Sequence, residues 1–445
     1  MRDVIVALIV FGALPIILMR PHIGIYVWSW IGYMNPHRLG WGFAYNFPFA
    51  ALIGGVTLIA ILFSKEPKRI PWNALTVSWI LFMVWISVTS LFAQSPEMAW
   101  VKWEKFMKIQ LMILITLMLI NNRERLHVLV WTIVASMGFY GVKGGIFTLA
   151  TGGNYMVWGP AGSFVEGNNE MAFALIIILP LMRYLQLQAD NKWIRRGLLL
   201  AMLLTSFSIL ASYSRGAFLA LAAIAVFLWL KSNKKMLIGG VILLLVPIML
   251  AFMPKEWTER MGTIQEYDED ESAMGRIYIW KIATLGALDS PFVGRGFGTF
   301  ATRDIHSQYQ SEVTDNPDIY IATDAHSIYF LILGEHGFVG LSLFLLLLYF
   351  GFRTGAWVIK HTKSNDELKW AGDLAAMCQV SLIGYSVGGA FLGLAYFDLY
   401  YHLISIIILL KAYVQKQQSA PNTKPLTADT NTPKNAPQDN KAYET

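Results

Sequence analysis

The sequence predicts an all-α polytopic membrane protein: about twelve transmembrane helices and one large loop that carries short helices of its own. Three observations predict it. Of the 445 residues, 55% are hydrophobic and only 14% charged, with a mean hydropathy of +0.48. Apolar runs of about 18 residues, each long enough to cross about 30 Å of hydrocarbon, recur from one end to the other. The loops between them alternate between basic and non-basic, as orientation across a membrane requires. Backbone polar groups in lipid must be satisfied within their own segment, so the apolar runs are expected as helices.

The candidate spans are residues 3–19, 22–35, 47–63, 74–92, 105–120, 128–150, 170–188, 197–212, 216–231, 236–253, 327–351, 371–395 and 398–413. Arg20–Pro21 makes either one broken element or two short helices of the first pair. The first segment follows a single Arg and shows no small-residue cleavage site, which reads as a retained anchor. The 16 Trp and 19 Tyr suit interfacial belts. The one cysteine, Cys378, lies in an apolar run and reads as a small core residue. The net charge of +6 follows largely from the basic loops and calls for no nucleic acid.

Those loops are SKEPKR (64–69), NNRER (121–125), DNKWIRR (190–196), KSNKK (231–235) and RTGAWVIKHTK (353–363). They are expected on the cytoplasmic side. The segments 36–46, 93–104, 151–169, the turn at Ser212–Arg215 and 254–325 then face outward. The chain accordingly divides into N-terminal spans (1–253), a large outer loop (254–325), C-terminal spans (326–413) and a polar, Pro-rich tail (414–445) expected to be disordered and cytoplasmic. Within the outer loop, MGRIYIWKIATLGAL (274–288) reads as an amphipathic helix with Ile277, Trp280, Ile282, Leu285 and Leu288 on its apolar face. The Gly-rich turn SPFVGRGFGTF (290–300) follows it. A long loop with structure of its own is usually functional.

Ionisable residues in such a chain are few, and each has a bland reading beside a chemical one. His326 stands where the outer loop enters the membrane. A neutral imidazole there can take a proton from an incoming hydroxyl, or it can simply hydrogen-bond a headgroup. Gly334, Gly337 and Gly340 below it form a small-residue track for a closely packed helix. Glu335 and His336 lie deeper and read as a buried pair or a tie to a neighbouring helix. Arg215, in the turn YSRG, offers a planar fork of donors suited to phosphate oxygens, or snorkels to lipid headgroups. Tyr213 and Ser214 beside it add hydroxyls.

Arg276 opens the amphipathic helix, and Arg295 sits in GRGFG, whose glycines let backbone amides approach an anion. Either arginine can instead pair with the acidic run Glu266–Glu271. That run, with Asp268, Glu269 and Asp270, reads as a solvated acidic face; without His or Cys nearby it is a poor metal site, and no metal or other cofactor is expected. Asn169 could cap the helix that follows it or, with Glu166, hold a sugar. Lys143 reaches a lipid phosphate or snorkels. A base beside several cations at a membrane surface suits a lipid-linked anionic leaving group. It does not suit a proton or metal-ion path through the bilayer.

His326-Ser327, nine residues, then Gly337-Phe338-Val339-Gly340 resembles the pattern of the O-antigen ligase superfamily, which includes O-antigen polymerases and protein O-glycan ligases. YSRG with Arg215, the stretch 274–300 and the Asn-containing segment before 170–188 resemble it too. RPHIGIYVWSWIGYMNPHRLGW (20–41) is similar to the exosortase-associated O-glycosylation ligase variant. The resemblance implies a GT-C-like glycosyltransferase in the bacterial inner membrane with its active face in the periplasm. The donor is a glycan on undecaprenyl pyrophosphate and the usual acceptor is lipid A–core, without nucleotide sugar or metal and with inversion at the anomeric carbon. It also implies that His326 deprotonates or orients the acceptor hydroxyl. Arg215 holds the pyrophosphate as it leaves, and Arg276 helps bind it, the lipid tail lying between spans. Protein or glycan acceptors fit the same motif, and a transporter of lipid-linked sugar is the reading from another class.

Overall fold

The computed structural model describes residues 1–232, 234–262, 271–314 and 324–419. Sixteen α-helices stand among them, together with short 3₁₀ turns. In order they are α1 (Arg2–Met19), α2 (His22–Met34), α3 (Phe49–Phe63), α4 (Ala74–Leu91), α5 (Pro96–Leu119), α6 (Arg123–Ala150), α7 (Asn168–Gln188), α8 (Lys192–Leu210), α9 (Arg215–Lys231), α10 (Lys235–Phe252), α11 (Lys255–Gly262), α12 (Glu271–Asp289), α13 (Arg303–Val313), α14 (Ile328–Thr362), α15 (Lys369–Gly389) and α16 (Asp398–Ser419). Seven of them, α1, α4, α6, α7, α8, α10 and α14, are long and apolar enough to cross a membrane. α7, α15 and α16 are the innermost, with most of their residues buried. The acidic run of 266–270 and the tail beyond 419 lie outside the described residues.

Arg20 and Pro21 separate two helices rather than bending one, because proline has no N–H to continue the ladder and restricts the residue before it. The basic segments gather at one end of the bundle. Arg125 binds Glu66 through both guanidinium nitrogens, 2.5 and 3.0 Å. Arg123 lies over the Trp370 ring, Gln188 donates to Asp373 (3.1 Å), and Lys231 donates to Gln379 (2.9 Å). Several of these segments, expected as loops, are helix ends instead: α6 starts at Arg123, α8 at Lys192, and α14 runs on through residues 353–362. Residues 96–104, also expected as loop, form the first turns of α5, with Pro96 at the position where a missing N–H costs nothing.

Two expectations about the 274–300 region change. Helix α12 forms, but its buried face is Ile279, Ile282, Ala283 and Ala287, and Leu288 is 60% exposed. The helix packs between α13 and α14. The glycine track of α14 receives the 290–300 segment at Gly334 and Gly337, and faces Trp85 of helix α4 at Gly340. At Gly337 (φ 67°, ψ −171°) the helix breaks, and a Cβ there would lie 2.3 Å from the Phe292 carbonyl oxygen. A Cβ on Gly334 would meet the Phe300 ring at 2.3 Å. The carbonyls freed near the break accept from the Gly-rich turn: Arg295 N to Gly334 O (2.9 Å) and Gly296 N to Glu335 O (2.8 Å). Phe338 N in turn donates to Pro291 O (2.8 Å). This backbone region belongs essentially to glycine. Gly337→Ala is therefore expected to destabilise the folded chain by about 1–3 kcal/mol, read as a lower midpoint of thermal unfolding in detergent; an unchanged midpoint would mean that the break is not built into the fold.

Candidate functional site

A polar cavity opens at the end of the bundle opposite the basic segments. Four of the helices at this cavity run to the basic end: α7 begins here, α8 ends here, α9 begins here and α15 ends here. The lining comprises Asn169 and Phe173 of α7, the turn Tyr213–Ser214 with the first residues of α9, Arg260 of α11, Arg276 of α12, and Gly388, Phe391 and Leu392 at and after the end of α15. Three arginines, Arg215, Arg260 and Arg276, line a small volume of ≈ 70 Å³.

Local structure explains why the cations converge. Tyr213 adopts a left-handed conformation (φ 56°), which turns the chain sharply between α8 and α9. Its hydroxyl donates to Gly153 O (2.8 Å), and its carbonyl accepts from Arg260 Nε (3.0 Å). Ser214 caps α9, its Oγ accepting from Ala217 N (3.3 Å). Arg215 is thus the first residue of a helix, where the macrodipole is positive and a basic side chain is disfavoured.

His326 stands just before α14, also in a left-handed conformation (φ 45°). Its backbone N–H donates to the Asp324 carboxylate (3.0 Å), and the same oxygen lies 3.6 Å from Nδ1, beyond hydrogen-bond reach. Two neighbours hold this turn. Trp280 of α12 donates to Ala325 O (2.8 Å) and stacks on Phe330 (5.0 Å, 10°). Gly393 packs so closely on Asp324 that a Cβ would lie 2.1 Å from the carboxylate oxygen. Both neighbours also belong to elements that line the arginine cavity. Burial holds the imidazole below its ordinary pKa; Arg276 pushes the same way, and Asp324 and Glu170 oppose it. Arg276 therefore belongs to both places: it lines the cavity and acts on His326. The imidazole is neutral near pH 7, the form that accepts a proton.

Of the residues singled out in the sequence, Arg215, Arg276, Tyr213 and Asn169 line this cavity, and His326 adjoins it through Arg276. Asn169 does not cap α7, because Gly167 occupies the cap position and the helix starts at Asn168. The Asn168 amide instead donates to Ser212 O (2.7 Å), tying α7 to the arginine turn. Arg295 does not line the cavity. It donates to Asp289 (3.0 Å) and to the Tyr309 hydroxyl. Nor does the Gly-rich turn present free amides, since those of Arg295, Gly296 and Gly298 are taken up by α14. Glu166 accepts from Gly162 N (2.8 Å) and shapes its own loop. Lys143 lies elsewhere, in an apolar groove between α6, α7 and α8. Glu335 and His336 form the internal tie expected of them. Tyr396 OH lies 2.5 Å from Glu335 and 2.8 Å from His336 Nε2, and Thr89 Oγ1 lies 2.7 Å from His336 Nδ1.

Three residues of the region escaped sequence reading as site residues: Arg260, Asp324 and Glu170. The Asp-x-His spacing of 324–326 is the one local signal for them. Among the described residues no group of three His, Cys, Asp or Glu is placed to hold a metal ion.

Residues 200–345 match the family described as O-antigen ligase, a stretch that includes Arg215, Arg260, Arg276 and His326. Residues 1–190 match a family of unknown function (DUF5935). No curated protein matches the chain.

Proposed function

From a chain that carries an O-antigen ligase domain over residues 200–345, and so belongs with the O-antigen ligase superfamily, we propose that it transfers a glycan from undecaprenyl pyrophosphate to lipid A–core, on the periplasmic face of the bacterial inner membrane. The observation that carries this reading is the convergence of Arg215, Arg260 and Arg276 on one cavity, with the neutral base His326 linked to it through Arg276.

The chemistry is a direct displacement. An acceptor hydroxyl oxygen attacks the anomeric carbon and gives its proton to His326. The bond from that carbon to the pyrophosphate oxygen breaks, and the electron pair leaves with undecaprenyl pyrophosphate. The anionic charge that builds on the leaving group meets guanidinium groups already in place, which avoids reorganisation during the reaction. With the basic segments cytoplasmic, the cavity faces the periplasm, where such a donor presents its glycan. About twelve spans remain the proposed topology, seven of the helices meeting the length and hydropathy of a span. A transporter gains no support from Glu335 and His336, whose side chains bond to Tyr396, Thr89 and Gly298.

The deciding experiment offers the purified chain a glycan on undecaprenyl pyrophosphate together with lipid A–core, a protein acceptor and a free glycan. Product on lipid A–core is expected. Product on protein alone or on glycan alone would replace this reading with an O-oligosaccharyltransferase or a polymerase, and flipping without transfer would replace it with a transporter.

The pH dependence follows from the groups around His326. Its pKa lies below 6.5, so the acid limb of kcat/KM is expected below that value, where protonation removes the base. Arg276 lowers the pKa, so Arg276→Gln should shift the limb of the residual activity upward. Asp324 raises it, so Asp324→Asn should shift the limb downward. A limb that ignores both substitutions would belong to another group.

A further inference from the structure

Helix α5 carries the charged side chains of Lys102, Glu104, Lys105 and Lys108 beside an apolar helix. Two side-chain hydrogen bonds set its register against α4: Trp79 Nε1 to Gln110 Oε1 (2.8 Å) and Trp103 Nε1 to Ser87 Oγ (2.9 Å). The helices run antiparallel, so Lys108 stands beside the middle of α4, one of the seven helices long and apolar enough to cross a membrane. Lys102, Glu104 and Lys105 follow toward the cavity end. Lys108 is 70% exposed, Glu104 60% and Lys102 45%. A lysine can lay its stem along apolar surface only while its ammonium reaches water or an anion. Hydrocarbon is a poor cover for this face.

The cover must complement three lysines and one glutamate. Glu104 pairs with Lys108. Lys102 lies 3.9 Å from the buried Glu335 of α14, on the helix that His326 introduces. Lys105 sits 3.7 Å over the ring of Phe164, on the segment leading to Asn169 and the cavity. The face is cationic, flanked by exposed Val101 and Leu111, and bordered by elements of the candidate site. An anionic amphiphile fits this combination, with phosphate for the lysines and acyl chains for the apolar flank. A second copy facing α5 to α5 would set like charges against each other.

We propose that the Lys102–Lys105–Lys108 face of α5 is a lateral docking site for the phosphate groups of the lipid acceptor. The identity of the lipid as acceptor rests on the function proposed above; the docking itself does not.

The test reconstitutes the full chain in phosphatidylethanolamine liposomes and measures binding of lipid A–core with its phosphates and after phosphatase treatment. The wild type should prefer the phosphorylated form. Lys105→Gln with Lys108→Gln, which leaves Lys102 and Glu335 untouched, should lose that preference, weakening binding roughly 25-fold at about fivefold per lysine. In transfer assays the acceptor KM should rise while kcat and the donor KM stay unchanged. Phosphate-independent binding by the wild type, or a preference that survives in the double variant, overturns the proposal. So does a dimer that the double variant splits, which would assign the face to a second copy. Intact phosphate-dependent binding without any transfer would count against the proposed function and for the site.

Discussion

His326→Ala is expected to lose transfer by about 10²–10⁴-fold, the usual contribution of a positioned general base, while the protein still inserts, folds and binds donor. The fold has little need of the imidazole. The backbone of His326, not its ring, makes the hydrogen bond to Asp324, and Trp280 holds the turn through Ala325 O. The ring is one-third exposed at the edge of the arginine cavity. The one structural demand at the position is the left-handed backbone, which histidine and asparagine tolerate better than alanine. His326→Asn is therefore the stricter variant: it keeps the turn and removes the base, and it should be as inactive as His326→Ala. A loss confined to His326→Ala would show that the turn, rather than proton transfer, was damaged. Wild-type turnover in both would remove His326 from the mechanism.

How much of this was legible in the residues depended on distance along the chain. Apolar runs announce helices because burial and backbone satisfaction in lipid act over one segment, and the helices stand near the expected positions. Helix ends were less legible where charge interrupts the run. α5 begins nine residues before its expected start and α14 ends eleven residues after its expected end, because charged side chains face outward without breaking a helix. The arginine turn and Arg276 drew notice through the cost of arginine beside apolar segments, and the fold brings them to one cavity. Arg260 sends no comparable signal. It lies in a polar stretch, and only the folding of α11 against the 213 turn brings it in. Arg295 misled for the opposite reason. Its glycines suggested an open anion nest, yet their left-handed geometry serves close packing against the break at Gly337, a partner forty residues away. Lys143 belongs to a different face of the same helix bundle, and nothing in a linear reading separates the two faces.

Arg215→Ala is expected to lower kcat by about 10²–10³-fold, or about 2.7–4 kcal/mol of transition-state stabilisation, as removal of one preorganised donor to a developing anion does. Arg215→Lys should lose less but should not restore the wild-type rate. The reason lies in what each substitution keeps. Lysine retains the charge but replaces a planar fork by a single flexible ammonium, which cannot bind two oxygens of one phosphate in a fixed plane. Alanine removes both and leaves the positive end of α9 with Arg260 and Arg276 as the remaining cations around the cavity. Those two should hold the ground-state pyrophosphate, so donor KM is expected to rise less than kcat falls in either variant. That division separates a leaving-group role from lipid anchoring. Snorkelling to a headgroup depends on charge and reach, which lysine supplies as well as arginine does. Full activity in Arg215→Lys together with full activity in Arg215→Ala would reduce Arg215 to an interfacial anchor. A loss in alanine alone would make charge, not geometry, the contribution of this residue.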